Sequence, residues 1–211
     1  MSARGSLRGL YLITPDDTDI ERLTRRVEEV LLAGASVLQY RNKLAGPAER
    51  AAQASAILPL CRARGVPLII NDDWELASAI AADGVHLGRD DAPLDVVRDA
   101  LGRDAIIGVS CYGDAPLARE AVNRGADYVA FGAFFASPTK PLACRANVGL
   151  LHETRDLRVP RVAIGGITPD NARSLVDAGA DMVAVITGVF SAPDPAGAVR
   201  AYLSCFQGTR P

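Results

Sequence analysis

Short apolar runs alternate with helix-period segments along the whole chain. The runs are Gly9–Ile13, Val37–Tyr40, Pro67–Asn71, Gly84–Leu87, Ile106–Val109, Tyr128–Phe131, Arg161–Ile164 and Met182–Val185. Each is short, rich in branched or aromatic residues, and reads as a buried strand. Between them, Ile20–Ala33 repeats apolar residues at helical spacing and Pro47–Arg64 is rich in Ala and Leu. Pro93–Leu101, Pro116–Arg124 and Pro169–Ala178 each carry proline near the start, a favoured first-turn position, and Thr168 is placed to cap the last of them.

A weak internal repeat supports this order. Ala33-Gly34-Ala35-Ser36, Arg124-Gly125-Ala126-Asp127 and Ala178-Gly179-Ala180-Asp181 each follow a helix and open a strand, with Ala82-Asp83-Gly84-Val85 as a variant. Glycine just past a helix takes the left-handed conformation that ends it. Eight strands in 211 residues leave about 26 residues per β-α unit, close to the lower size limit of a (β/α)8 TIM barrel. The sequence therefore predicts an α/β chain forming one barrel domain over residues 1–211. An open doubly wound sheet is the alternative, but the Gly-x-Gly-x-x-Gly fingerprint after the first strand is absent.

In such a barrel, chemistry sits at the C-terminal strand ends. The second strand leads through Gln39, Arg41 and Lys43, three polar residues at alternate positions that would face one way. Two like charges about 7 Å apart repel, and a phosphorylated ligand between them removes the cost. Lys140, beside Ser137 and Thr139 in the loop after strand six, adds another cation. Gly165-Gly166 and Thr187-Gly188 follow strands seven and eight, where barrels often bind phosphate on backbone N–H groups. Two anionic sites are expected. After strands three and four, Asp72 or Asp73 can meet Asp90 or Asp91, and an oxygen-only pair of this kind favours Mg²⁺. His86, within strand four, reads as a core histidine.

Composition narrows the partners. A net charge of −2 without a basic, aromatic-studded patch argues against nucleic acid. No apolar run approaches the roughly 20 residues of a membrane span. Four scattered cysteines and two histidines offer little for zinc, a disulfide framework or a His-based triad, and a reducing cytoplasm is expected. A diphosphate held by Mg²⁺, Arg and Lys is a good leaving group, so alkyl transfer from a diphosphate ester is the expected reaction class.

The chain resembles the thiamine-phosphate synthase family over nearly its full length. The resemblance rests on Tyr11–Thr14, Gln39-Tyr40-Arg41-Asn42-Lys43, Asn71-Asp72, Gly84 through Asp91, Gly108–Ser110, Ser137-Pro138-Thr139-Lys140 and Ile164–Ile167. It implies joining 4-amino-2-methyl-5-hydroxymethylpyrimidine diphosphate to thiazole phosphate, with release of pyrophosphate and thiamine phosphate. It further implies that Gln39 and Asn71 contact the pyrimidine substrate, within a binding segment that includes Tyr40 and Asn42. Arg41, Lys43, Ser110 and Lys140 would hold its diphosphate and act in catalysis. Asp72 and Asp91 would hold Mg²⁺. Ser137, Pro138 and Thr139 would meet the thiazole substrate, with Gly166, Ile186 and Thr187 at its phosphate. Ser137 and Thr187 depart from the family's usual Thr and Ser but keep a hydroxyl, and Pro141–Arg145 looks like a lid. The related thiazole tautomerase, and a non-catalytic binder of thiamine-pathway phosphates, are the alternatives. Neither needs the complete diphosphate and metal set.

Overall fold

The computed structural model describes residues 7–136 and 146–208. Eight parallel strands close into a barrel in chain order: β1 (Gly9–Ile13), β2 (Val37–Tyr40), β3 (Leu68–Asn71), β4 (Gly84–Leu87), β5 (Ile106–Tyr112), β6 (Tyr128–Gly132), β7 (Arg161–Ile164) and β8 (Met182–Val185), with β8 returning to β1. The predicted strands are recovered within three residues at every end. The largest difference is β5, which continues through Ser110-Cys111-Tyr112 and is irregular between Ser110 and Tyr112.

Helices α1 (Ile20–Ala33) and α2 (Pro47–Arg64) have the predicted bounds. The other described helices are α3 (Trp74–Ile80), α4 (Leu94–Leu101), α5 (Ala115–Asn123), α6 (Gly149–Glu153), α7 (Pro169–Asp177), α8 (Thr187–Phe190) and α9 (Pro195–Ser204). Of these, α3, α6, α8 and α9 have no counterpart in the sequence reading. Pro93 stands just outside α4 as its N-cap, and Asn171 accepts the Thr168 N–H at 2.9 Å to open α7. The repeated glycines behave as expected: Gly34, Gly125 and Gly179 have φ of 116°, 97° and 107°. Gly84, the variant, serves another purpose. A Cβ there would lie 1.9 Å from the Ile106 carbonyl oxygen, so the β4–β5 approach requires glycine.

Two cores follow from strand alternation. One face of each strand packs outward against the helices, where Leu10, Leu12, Leu38, Tyr40, Ile70, Val85, Ile107, Phe131 and Val183 meet Leu23, Val27, Ile57 and Val199. The other fills the barrel with Tyr11, Ile13, Val37, Ile69, Ile106, Tyr128, Val162 and Met182. The interior is therefore packed, and the loops at the strands' C-terminal ends carry the accessible chemistry.

Candidate active site

Gln39 belongs to the barrel interior and is buried. The regular strand stops at Tyr40, so Arg41 and Lys43 leave from the loop after β2 and not from the strand itself. The loop is nonetheless held tightly. Thr14, at the end of β1, accepts the Arg41 N–H and donates to the Arg41 carbonyl, each at 2.8 Å. Asp16 pairs with the Arg41 guanidinium at 3.2 Å and accepts the Lys43 N–H at 2.6 Å. Neither Thr14 nor Asp16 was singled out as functional from sequence, although both stand at a strand's C-terminal end.

Tyr40 and Asn42 also border the cavity beside this loop, while their polar groups bond within the fold. The Tyr40 hydroxyl donates to Gln53 at 2.8 Å. The buried Asn42 amide donates to the Asp17 carbonyl and to Gln53, and accepts from the backbone of Leu44 and Ala45. Their polar groups thus shape the loop that presents Arg41 and Lys43.

A cavity of about 480 Å³ opens beside this loop, bordered by Arg41, Lys43, Arg50, Asn71, Asp72 and Trp74 among others. Arg50, reaching in from α2, is 3.6 Å from Asp73, and its buried Nε has no hydrogen-bond partner among the described residues. Asp73 accepts the Leu76 N–H at 2.9 Å, which makes it the N-cap of α3 and separates its role from that of Asp72. Asp72 sits at φ 63°, a backbone conformation uncommon for residues other than glycine.

Asp72 and Asp91 meet across β3 and β4. Burial, then a hydrogen bond with Asp91 and the Asp91 charge, push the Asp72 carboxyl above the usual range, while Lys43 and Asn71 draw it down. Two carboxylates held this close repel, and a divalent cation between them would relieve that repulsion. Asp91 is fixed by the Gly88 N–H at 2.6 Å. With Ser110 it borders a neighbouring hollow of about 180 Å³, and Ala92 lines both spaces. Among the described residues no group of three or more His, Cys, Asp or Glu side chains converges.

On the far side of the mouth, Gly165 and Gly166 have φ of 100° and 64°. A Cβ on Gly166 would fall 2.4 Å from the Ala136 carbonyl oxygen, so no other residue fits that approach. Ile186 precedes α8, and Thr187 opens it with its side chain in an exposed position. Ser137, Pro138, Thr139, Lys140 and the segment Pro141–Arg145 lie outside the described residues.

His86 is where sequence reading fell short. It is a buried residue, as expected, but it bonds Tyr128 at 3.0 Å and Ser110 at 2.9 Å. Burial lowers its pKa to about 4, so the ring is neutral near pH 7.

The family model described as thiamine monophosphate synthase matches residues 10–189. A thiamine-phosphate synthase of Azoarcus sp. (strain BH72) is 55% identical over 201 residues, covering 95% of this chain and 98% of that protein. One from Xylella fastidiosa (strain Temecula1) is 54% identical over 199 residues, covering 94% and 85%. The solved structure of a thiamine phosphate pyrophosphorylase from Pyrococcus furiosus superposes with a TM-score of 0.85 at 32% identity, covering 97% of each chain. The chain belongs to the thiamine-phosphate synthase family.

Proposed function

We propose that this barrel mouth joins the pyrimidinylmethyl group of 4-amino-2-methyl-5-hydroxymethylpyrimidine diphosphate to the ring nitrogen of thiazole phosphate, giving thiamine phosphate and pyrophosphate. The observation that carries the reading is one cavity bordered by Arg41, Lys43, Asn71 and Asp72, next to the close pair Asp72 and Asp91. A cavity with cations on one wall and paired carboxylates on another suits a diphosphate that arrives with a divalent ion.

The mechanism follows from charge. The methylene carbon–oxygen bond breaks, and the oxygen leaves with the electron pair as pyrophosphate. Arg41, Lys43 and Lys140 neutralise the charge that develops on it, and Ser110 donates a hydrogen bond. Asp16 holds Arg41 in place for this task. Asp72 and Asp91 would hold Mg²⁺, which supplies Lewis-acid stabilisation of the departing diphosphate. Gln39 and Asn71 orient the pyrimidine ring, whose electron donation stabilises the cation left behind. The thiazole nitrogen then forms the new carbon–nitrogen bond. Ser137, Pro138 and Thr139 contact the thiazole, and Gly166, Ile186 and Thr187 bind its phosphate. No thiol nucleophile is needed, and burial pushes Cys61 and Cys111 up to about 12.

The whole chain serves this one site, and the reaction is assigned to the cytoplasm, where Cys61, Cys111 and Cys205 remain thiols. No helix among the described residues is long and apolar enough to cross a membrane. The test is to incubate purified protein with both phosphorylated substrates and Mg²⁺, then oxidise any thiamine phosphate to its fluorescent derivative. Product only when all three are present supports the reading. Isomerisation of the thiazole without condensation would assign the tautomerase reaction, and binding of both ligands without turnover would assign a binder.

A further inference from the structure

Five side chains from five strands join hands beneath the mouth. Gln39 Nε2 donates to Tyr11 Oη at 2.9 Å. Tyr11 Oη lies 2.7 Å from Tyr128 Oη, which lies 3.0 Å from His86 Nδ1. His86 Nε2 in turn lies 2.9 Å from Ser110 Oγ. The three central residues are at most 9% exposed. The chain thus begins and ends on two residues assigned to one substrate, and its middle is sealed from solvent.

The fold makes room for it. Gly108 pairs with His86 on one side and with Tyr128 on the other. A Cβ on Gly108 would lie 1.9 Å from the Tyr128 ring, so the ring occupies the space glycine vacates. The His86 and Tyr128 rings then stack, with centroids 5.6 Å apart and planes 19° apart.

Proton counting gives the chain a direction. A phenol has one proton to donate, and a neutral imidazole has one donor and one acceptor nitrogen. Gln39 already donates to Tyr11, so the Tyr11 proton goes to Tyr128. The Tyr128 proton then goes to His86 Nδ1, and His86 Nε2–H donates to Ser110. Reversing any single link strands a buried proton without an acceptor. Burial holds both phenols protonated, as this order requires.

We propose that Tyr11, Tyr128 and His86 are positioning residues: their one-way hydrogen bonds leave the Gln39 Oε1 free to accept from the pyrimidine and the Ser110 hydroxyl free to donate to the diphosphate. The roles of Gln39 and Ser110 rest on the function proposed above, whereas the direction of the wire does not.

Nitrogen-15 NMR of histidine-labelled protein tests the direction without any substrate. His152 is the other histidine, and a His86→Gln variant assigns the signals. The expected result at pH 7 is neutral His86 protonated at Nε2. Protonation at Nδ1 alone, or a charged ring, would overturn the proposal. The functional half is read from Tyr128→Phe, which keeps the ring and removes the hydroxyl. KM for the pyrimidine diphosphate should rise roughly tenfold, the scale of one neutral hydrogen bond, with KM for thiazole phosphate within about twofold. Equal changes in both KM values, or none in either, would reduce the wire to a structural feature and overturn its positioning role. Should the variant fail to fold, the tautomer of the wild-type protein still decides the direction. A wild-type protein that makes no thiamine phosphate would sink the function while leaving the tautomer result intact.

Discussion

Thr14 grips Arg41 on both sides of the residue. Its hydroxyl accepts the Arg41 N–H and donates to the Arg41 carbonyl, each at 2.8 Å, across 27 positions of sequence. Thr14→Val keeps the shape and removes both bonds, leaving two part-buried backbone groups without these partners. We expect a loss of about 2–3 kcal/mol in denaturant unfolding. KM for the pyrimidine diphosphate should rise several-fold, with thiazole phosphate less affected. A variant with unchanged stability and unchanged KM would show that the grip is incidental.

Asp72→Asn removes the repulsion with Asp91 and, on the proposed function, a ligand of Mg²⁺ as well. Without metal, its thermal midpoint should equal or exceed that of the parent. Turnover should fall about 100-fold or more, the scale of roughly 3 kcal/mol of lost transition-state stabilisation. Mg²⁺ with pyrophosphate should raise the parent's midpoint and leave the variant's in place. Calorimetry should find thiazole phosphate binding preserved. Full turnover in the variant would remove Asp72 from the metal site.

Stability should depend on pH through His86. Its folded pKa of about 4 lies below the ordinary 6.5, so between those values the unfolded chain binds a proton that the fold refuses. Its contribution is therefore complete above pH 6.5 and is lost as pH falls toward 4. The gap corresponds to about 3 kcal/mol. Denaturant unfolding of the parent and of His86→Gln across this range should show a shallower decline in the variant. Parallel curves would contradict a buried neutral His86.

Gly166→Ala places a side chain at φ 64° and a Cβ 2.4 Å from the Ala136 carbonyl oxygen. The expected cost is at least about 2 kcal/mol. KM for thiazole phosphate should rise more than KM for the pyrimidine diphosphate. The reverse order would move the thiazole phosphate site away from this loop.

Much of the fold could be read from the chain because local rules agree with it. The glycines at positions 34, 125 and 179 end helices by the left-handed conformation that their repeat suggested. The helices that escaped are mostly short: α6 has five residues and α8 has four, too few for a helical period to show. The ten-residue α9 could have been found, because Asp194-Pro195 is a cap followed by a first-turn proline. At the site, alternation brought out Gln39, Arg41 and Lys43, although the regular strand stops before the two cations. The buried wire stayed hidden because its links join residues 28, 117, 42 and 24 positions apart. No window of sequence contains such a pattern. Only barrel closure brings β1 and β6 side chains together.

The central claim is that this mouth couples pyrophosphate departure to formation of thiamine phosphate. Phosphorus-31 NMR of the purified protein with both substrates and Mg²⁺ follows all the phosphorus species together. The account predicts that pyrophosphate and thiamine phosphate appear in equal amounts, and that chelating the metal stops both. Pyrophosphate release without thiamine phosphate, or no change in either substrate, would contradict it.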